Sequence, residues 1–316
     1  MIYVCEYDNS TANQTLLEAA ELLFPNENVI SIKEEDKTGI RWIKLRERIL
    51  AWMLLEYALE KEGDGWIKGQ TNDRDVDNLG VGAEGLCEEH AGIGADGLRE
   101  EPAKNGSVTE RLEIVRTEHG KPYSSRYPEL FFNISHCDTA CACVLSDCPV
   151  GIDIERKFEY KENLKRHICC EEEQCIMEDA NGTEESVFIK QGREQNCSEN
   201  VPVYKKHLHI GYEKEGQLRF LWSMKEAFVK MDGRGLGYGM KNIDLSGILP
   251  MQEGKWKSAG DGGCFMVKTG TDYTLAVCRE KKGDWKEPVI LKERELIRTT
   301  FQKVPALQAL RALSGR

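Results

Sequence analysis

No stretch of eighteen apolar residues occurs in the chain, so a membrane-spanning helix is not expected. A secretory leader is not expected either. Met1-Ile2-Tyr3-Val4-Cys5 has neither a basic n-region nor a small-residue cleavage site, and it reads as a first strand. Positive charge is in deficit: the net charge is −11, which weighs against wholesale binding to nucleic acid, because such proteins usually carry a basic face. Cysteine is plentiful, with 12 residues, yet no CxxC pair and no CxxC…HxxxH arrangement appears. Neither a disulfide framework nor a zinc motif can therefore be read from the spacing. Reduced thiols in a cytoplasm are the expectation.

What is present suits a globular protein of one large domain or two modest ones. Hydrophobic residues make up 40% and charged residues 31% of 316 positions. A helix is expected around Thr11 to Leu23, closed by Pro25. A longer one is expected from about Thr38 to Glu60, with Leu45, Ile49, Trp52, Met53 and Leu59 supplying apolar faces. On it Arg41, Lys44 and Arg48 share a face at i, i+3 and i+7, either as a solvated stripe or as a local cradle for a polyanion.

From Glu62 to Glu110 the character changes, with 10 glycines and 12 acidic residues against 4 basic ones. That stretch reads as a long solvated insertion. Within it Asp73, Asp75, Asp77 and Glu84 fit positions 1, 3, 5 and 12 of a calcium loop, but Asn78 holds the glycine position and flanking helices are lacking. Order returns with an alternating strand at Arg111 to Arg116 and a hairpin of Phe131 to Ile134 with Ala140 to Leu145. A further strand runs from Val150 to Glu155. Helical patterns cover Asn163 to Asp179 and Leu218 to Met231, with a second polar insertion from Asn181 to about Val201. A strand pair is expected at Gly263 to Lys268 and Tyr273 to Cys278, and a last strand beyond Pro288. Strands accompanied by a long helix in each half indicate an α+β class.

Four short motifs carry chemistry. Asp153 and Glu155 sit at i and i+2 on a strand, so both carboxylates reach one face while Ile152 and Ile154 reach the other. Two adjacent carboxylates repel, and magnesium is a cation that takes one or two of them together with phosphate oxygens. An acidic solvent face is the alternative. In Trp222-Ser223-Met224-Lys225-Glu226-Ala227-Phe228-Val229-Lys230, Glu226 and Lys230 are helical neighbours: a surface ion pair, or a metal ligand beside a diphosphate lysine. Phe132-Asn133-Ile134-Ser135-His136 puts a histidine at a strand end, where it could donate to a phosphate or sit as an ordinary loop histidine. A Ser–His nucleophile is disfavoured, because adjacent residues rarely reach that geometry and no strand-turn-helix elbow surrounds them. Gly120-Lys121-Pro122 and Gly233-Arg234-Gly235-Leu236-Gly237 supply turns, and the second is no Walker loop, since it trails a helix.

Read in order, Gly120-Lys121-Pro122, Phe132 to His136, Gly151-Ile152-Asp153-Ile154-Glu155 and Trp222 to Lys230 resemble the signature of the Sfp-type 4'-phosphopantetheinyl transferases. The likeness runs from the long basic helix to about Arg279. It implies a pseudo-twofold pair of similar α+β halves, residues 1–148 and 149–280, with coenzyme A in the cleft between them and residues 281–316 as an extension. It implies Mg2+ on Asp153, Glu155 and Glu226, and Lys230 against the diphosphate. His136, Ser135, Lys121, Pro122 and Arg48 fall at the nucleotide end, with Arg41 and Lys44 on the same basic helix beside them. Glu172, among three consecutive glutamates, resembles a glutamate proposed to deprotonate the acceptor serine.

The implied reaction moves phosphopantetheine from coenzyme A to a serine of an apo acyl- or peptidyl-carrier protein and releases 3',5'-ADP, by a monomer. Three alternatives stand beside it: a silent relative that binds coenzyme A or a carrier, another metal-dependent diphosphate hydrolase, and a calcium-binding interaction module built on the acidic insertion. Cys137 departs from the pattern, which commonly has a second serine after the histidine, and the insertions are longer than the resemblance leads one to expect.

Overall fold

The alternation of the sequence resolves into two four-stranded sheets. A computed structural model of the chain describes residues 1–25, 29–71, 112–179, 214–260, 263–282 and 286–303. Strand β1 (Ile2–Glu6) lies between β5 (Ala140–Ser146), antiparallel to it, and β10 (Val289–Lys292), parallel to it. Strand β4 (Phe131–His136) completes this sheet beside β5, in the order β10-β1-β5-β4. The second sheet has the order β6-β9-β8-β7, from β6 (Val150–Arg156), β7 (Lys257–Ser258), β8 (Cys264–Thr269) and β9 (Tyr273–Arg279). A small pair, β2 (Ile114–Arg116) and β3 (Pro122–Ser124), stands apart. The class is α+β. Both expected hairpins form, while the strand expected from Arg111 is shorter.

Period-two alternation gives each sheet two apolar faces. Tyr3, Cys5, Cys141, Cys143 and Leu145 pack under helix α2 (Gly39–Thr71), against Leu45, Ile49, Trp52 and Met53. Their neighbours Ile2, Val4, Ala140, Ala142 and Val144 face the other way and meet Val150, Ile152, Ile154, Leu275 and Val277 of the second sheet. The outer face of that sheet, through Phe265, Val267, Ala276 and Cys278, packs against helix α5 (Lys214–Asp232). Helix α1 (Asn13–Leu23) buries Leu16, Leu17, Ala20 and Leu23.

Helix α2 continues eleven residues past Glu60, into the segment read as a solvated insertion. Glycines cost a helix about 1 kcal/mol each and do not stop it. The rest of that insertion, its calcium-like acidic residues and the whole of the second insertion lie outside the described residues. The single helical pattern around Asn163 to Asp179 is two helices, α3 (Glu162–Ile168) and α4 (Glu171–Asp179). The break has a chemical reason. Glu173 reaches back to accept the Cys170 N–H at 2.9 Å, as a capping-box residue does, and this starts a new helix.

Two joints hold the sheets and the last segment in place. Strand β6 is an edge strand, and its outward N–H groups would be orphaned. Ile152 N–H donates to Asn133 Oδ1 at 3.0 Å and Ile154 N–H to Ser135 Oγ at 3.3 Å, so β4 seals the β6 edge with side chains. Helix α6 (Glu293–Lys303) opens on Glu293, which is fully buried and accepts from Arg46 at 2.5 Å, from Asn9 N–H and from Thr11 N–H. Among the described residues no helix is long and apolar enough to cross a membrane.

Candidate functional site

Strand β6 places Gly151, Asp153 and Glu155 on the face toward α5, while Ile152 and Ile154 enter the shared core. Gly151 is there because of distance. A Cβ on it would lie 2.0 Å from the Ala227 carbonyl oxygen and 2.5 Å from the Met231 nitrogen, both backbone atoms. Helix and strand therefore touch main chain to main chain, which sets the carboxylates of β6 opposite Lys230 and Glu226 of α5, although the oxygens of Asp153, Glu155 and Glu226 do not all come within 4.8 Å of one another. Replacing Gly151 by alanine should cost at least the 1–3 kcal/mol usual for overpacking, read as a lower midpoint in denaturant. An unchanged midpoint would show that the two elements do not approach so closely.

Asp153 is buried, and its two oxygens differ. Oδ1 accepts from Lys230 Nζ at 2.6 Å and from Ser135 Oγ at 3.2 Å. Oδ2 is buried with no hydrogen-bond partner among the described residues. Lys230 also donates to Ser135 Oγ at 2.8 Å, so lysine, serine and aspartate form one triangle. The lysine thus bridges to Asp153 across the two elements, and the surface pair with Glu226 that the i, i+4 spacing allowed is not its principal contact.

Burial is the first cause that pushes the Glu155 carboxyl up, to about 7, and the negative charge of Asp153 is the second. Lys230 and a hydrogen bond from Trp222 work in the opposite direction. Glu226 is raised in the same sense, again by burial first and Asp153 next. Three carboxyl groups from two elements therefore sense one another in a half-buried recess. An orphaned carboxylate oxygen beside two carboxyls that resist ionisation is a site short of positive charge. Oxygen donors of this kind suit a hard divalent cation.

The only group of three side chains among the described residues whose ligand atoms all lie within 4.8 Å of one another is elsewhere: Cys170, Glu173 and Asp244. Its donors are already engaged. Glu173 Oε2 accepts from Lys225 Nζ at 2.6 Å and from Cys170 N–H, and Oε1 accepts from Leu245 N–H at 2.8 Å. Lys225 and Glu173 are both 0% exposed, and Lys225 also donates to the carbonyls of Ile168 and Met240. This is a buried structural ion pair tying α5 to α4 and to the loop before Leu245.

The remaining candidates lie around the β4 end. His136 Nδ1 is 3.1 Å from Glu47 Oε2, a carboxylate on α2 that also receives Lys44 at 2.9 Å. Lys121 donates to the Met231 carbonyl at 2.7 Å, at the end of α5, and burial pulls its amine down to about 8. Pro122 opens β3. Arg48 Nε is buried without a hydrogen-bond partner among the described residues, and its guanidinium stands 4.0 Å from Asp36. Arg41 is paired with Glu35 at 2.9 Å. Glu172 is exposed in the first turn of α4, next to the engaged Glu173, which leaves Glu172 the freer of the two for chemistry.

Four residues of this region went unassigned in the sequence. Gly151 carried a signal, since a glycine inside an alternating strand often marks close backbone approach. Asn133 and Glu47 carried none beyond the motif or the helix they sit in. Lys225 looked like any polar helix residue, and only tertiary packing makes it a core group.

No family model matches the chain. Among curated proteins it is 28% identical over 172 residues to a 4'-phosphopantetheinyl transferase psf-1 from Bacillus pumilus, covering 53% of this chain and 61% of that one. It is 28% identical over 163 residues to the 4'-phosphopantetheinyl transferase Sfp of Bacillus subtilis (strain 168), covering 51% and 60%. It is 27% identical over 128 residues to the 4'-phosphopantetheinyl transferase gsp of Aneurinibacillus migulanus, covering 40% of each. The chain matches about three fifths of the length of the first of these relatives. Over about half its own length it resembles the Sfp-type superfamily.

Proposed function

We propose that this chain, similar over half its length to 4'-phosphopantetheinyl transferases, moves the phosphopantetheine arm of coenzyme A onto a serine of an apo acyl- or peptidyl-carrier protein and releases 3',5'-ADP. One observation supports the reading above the others: the buried Asp153 Oδ2, without a partner among the described residues, on the β6 face that also carries Glu155, with Lys230 held on the opposite oxygen. In this reading Asp153, Glu155 and Glu226 hold Mg2+. The ion, when bound, supplies Lewis-acid polarisation of the diphosphate and charge relief in the transition state.

The chain's own groups do the rest. Lys230 neutralises the oxygen that leaves the β-phosphorus as the carrier serine attacks in line. Glu172, exposed at the start of α4, takes the proton of that serine. His136, Ser135, Arg48, Lys121 and Pro122 hold the nucleotide end. No protein nucleophile is needed, and the buried thiols stay out of the chemistry. The two sheets, each with its long helix, are read as pseudo-twofold halves of residues 1–148 and 149–280 with coenzyme A in the cleft between them. The segment from 281 folds back on the first half.

Incubation with coenzyme A, Mg2+ and a panel of apo-carrier proteins tests the function directly. A carrier mass gain equal to phosphopantetheine is expected. Release of nucleotide without any carrier would instead indicate a diphosphate hydrolase.

A pH dependence follows from Glu155. Its folded carboxyl titrates near 7 against about 4.5 when free, so the metal-free folded state binds the extra proton more tightly than the unfolded chain. That contribution to stability is complete below about 4.5 and is lost as pH rises through about 7. A divalent cation replaces the proton, so the rise in melting temperature on adding magnesium should be small at pH 6 and larger at pH 8. Equal shifts at both values would contradict the assignment of Glu155 to the metal.

A further inference from the structure

Glu47 is a glutamate in the third turn of α2 whose side chain is 2% exposed, beneath a histidine side chain that is 29% exposed. Burying a carboxylate is costly unless partners compensate. Here His136 and Lys44 do so, and despite its burial their bonds hold the Glu47 carboxyl below its ordinary range. The neighbouring groups are Lys44 on the same helix, Asp138 in the β4–β5 turn and Tyr7 after β1. An ionised Glu47 can only accept, so the hydrogen on this contact belongs to His136 Nδ1. Nε2 is then the nitrogen left for a ligand, and the ring cannot flip without losing its bond.

Resting on the reading of His136 as a contact of the nucleotide's phosphate, we propose that Glu47 is a positioning residue for coenzyme A recognition. It fixes the orientation of His136 through Nδ1–H, so that Nε2 is the nitrogen turned to a phosphate monoester, to which it donates when it too carries a proton. A ring that donates from Nδ1 to a carboxylate and from Nε2 to a phosphate makes a charge-assisted hydrogen bond at each end. The contribution goes to discrimination of a ligand carrying that phosphate from one lacking it. It does not go to the transfer step.

Calorimetric titration of the full chain with coenzyme A and with 3'-dephospho-coenzyme A separates the possibilities. Wild type should prefer coenzyme A. Glu47→Gln, which keeps the size but loses the charge, should shrink that preference by roughly five- to tenfold, with dephospho-coenzyme A affinity unchanged within twofold. Equal weakening of both ligands, or of neither, overturns the role of Glu47 while leaving the proposed function standing. Wild type that binds neither ligand overturns the reading of the site, and this proposal with it. Should Glu47→Gln fail to fold, the ring nitrogens of wild-type His136 decide by NMR. Both protonated in the coenzyme A complex supports the proposal, and a deprotonated Nδ1 overturns it.

Discussion

Replacing Asp153 by asparagine should lower carrier modification by roughly 10²- to 10⁴-fold, the rate equivalent of a few kcal/mol of lost charge stabilisation. The substitution keeps the shape of the side chain and a partner for Ser135. It removes the charge that faces Lys230 at 2.6 Å and the anionic Oδ2 that has no partner among the described residues. Glu226→Gln should behave alike, because its carboxyl is coupled to the same Asp153. Carrier mass gain against time at saturating coenzyme A and magnesium measures both. Near wild-type turnover by Asp153→Asn would remove the metal assignment from the proposed mechanism. A calcium- or thiol-based activity elsewhere in the chain would leave both variants fully active.

The largest effect on stability is expected at Lys225. Its ammonium and the Glu173 carboxylate are wholly out of water, and Lys225→Met leaves the carboxylate buried with only two backbone N–H donors. Breaking one side of such a pair costs about 3–5 kcal/mol. The double variant Glu173→Gln with Lys225→Met should recover more than half of that loss. It has no uncompensated charge, and the glutamine oxygen can still accept from one of the N–H groups. Denaturant midpoints at constant slope measure the difference. A single variant as stable as wild type would show that the pair is hydrated in solution.

The strands and the β6 carboxylates were legible because they rest on period two, a local property of the chain. Ile152 and Ile154 reach a core and Asp153 and Glu155 the helix side, as alternation alone requires. The hairpins were legible for the same reason. Helix ends were less so. The end of α2 depends on glycine tolerance, and the gap between α3 and α4 depends on one glutamate reaching back to Cys170. Partnership across long separations was not legible at all. Lys230 had an obvious neighbour in Glu226, but the β6–α5 contact permitted by Gly151 gives it Asp153 instead, 77 residues away. Asn133 looked like part of a signature, whereas its visible work is to satisfy the Ile152 N–H on another sheet. Glu47 and Lys225 were hidden because burial of a charged side chain is decided by the assembled fold and leaves no periodic trace.

The parallel pairing of β10 with β1, locked by Glu293 on Arg46 across 247 positions, bears on the order in which the chain can mature. As the polypeptide emerges, β1 finds β5 early but keeps one rim of open amides and carbonyls until residues 289–292 arrive. During that interval Arg46 lies beneath the sheet without its anion. Synthesis that halts before Val289 thus yields a species with a sticky edge and a stranded guanidinium, suited to chaperone capture or self-association.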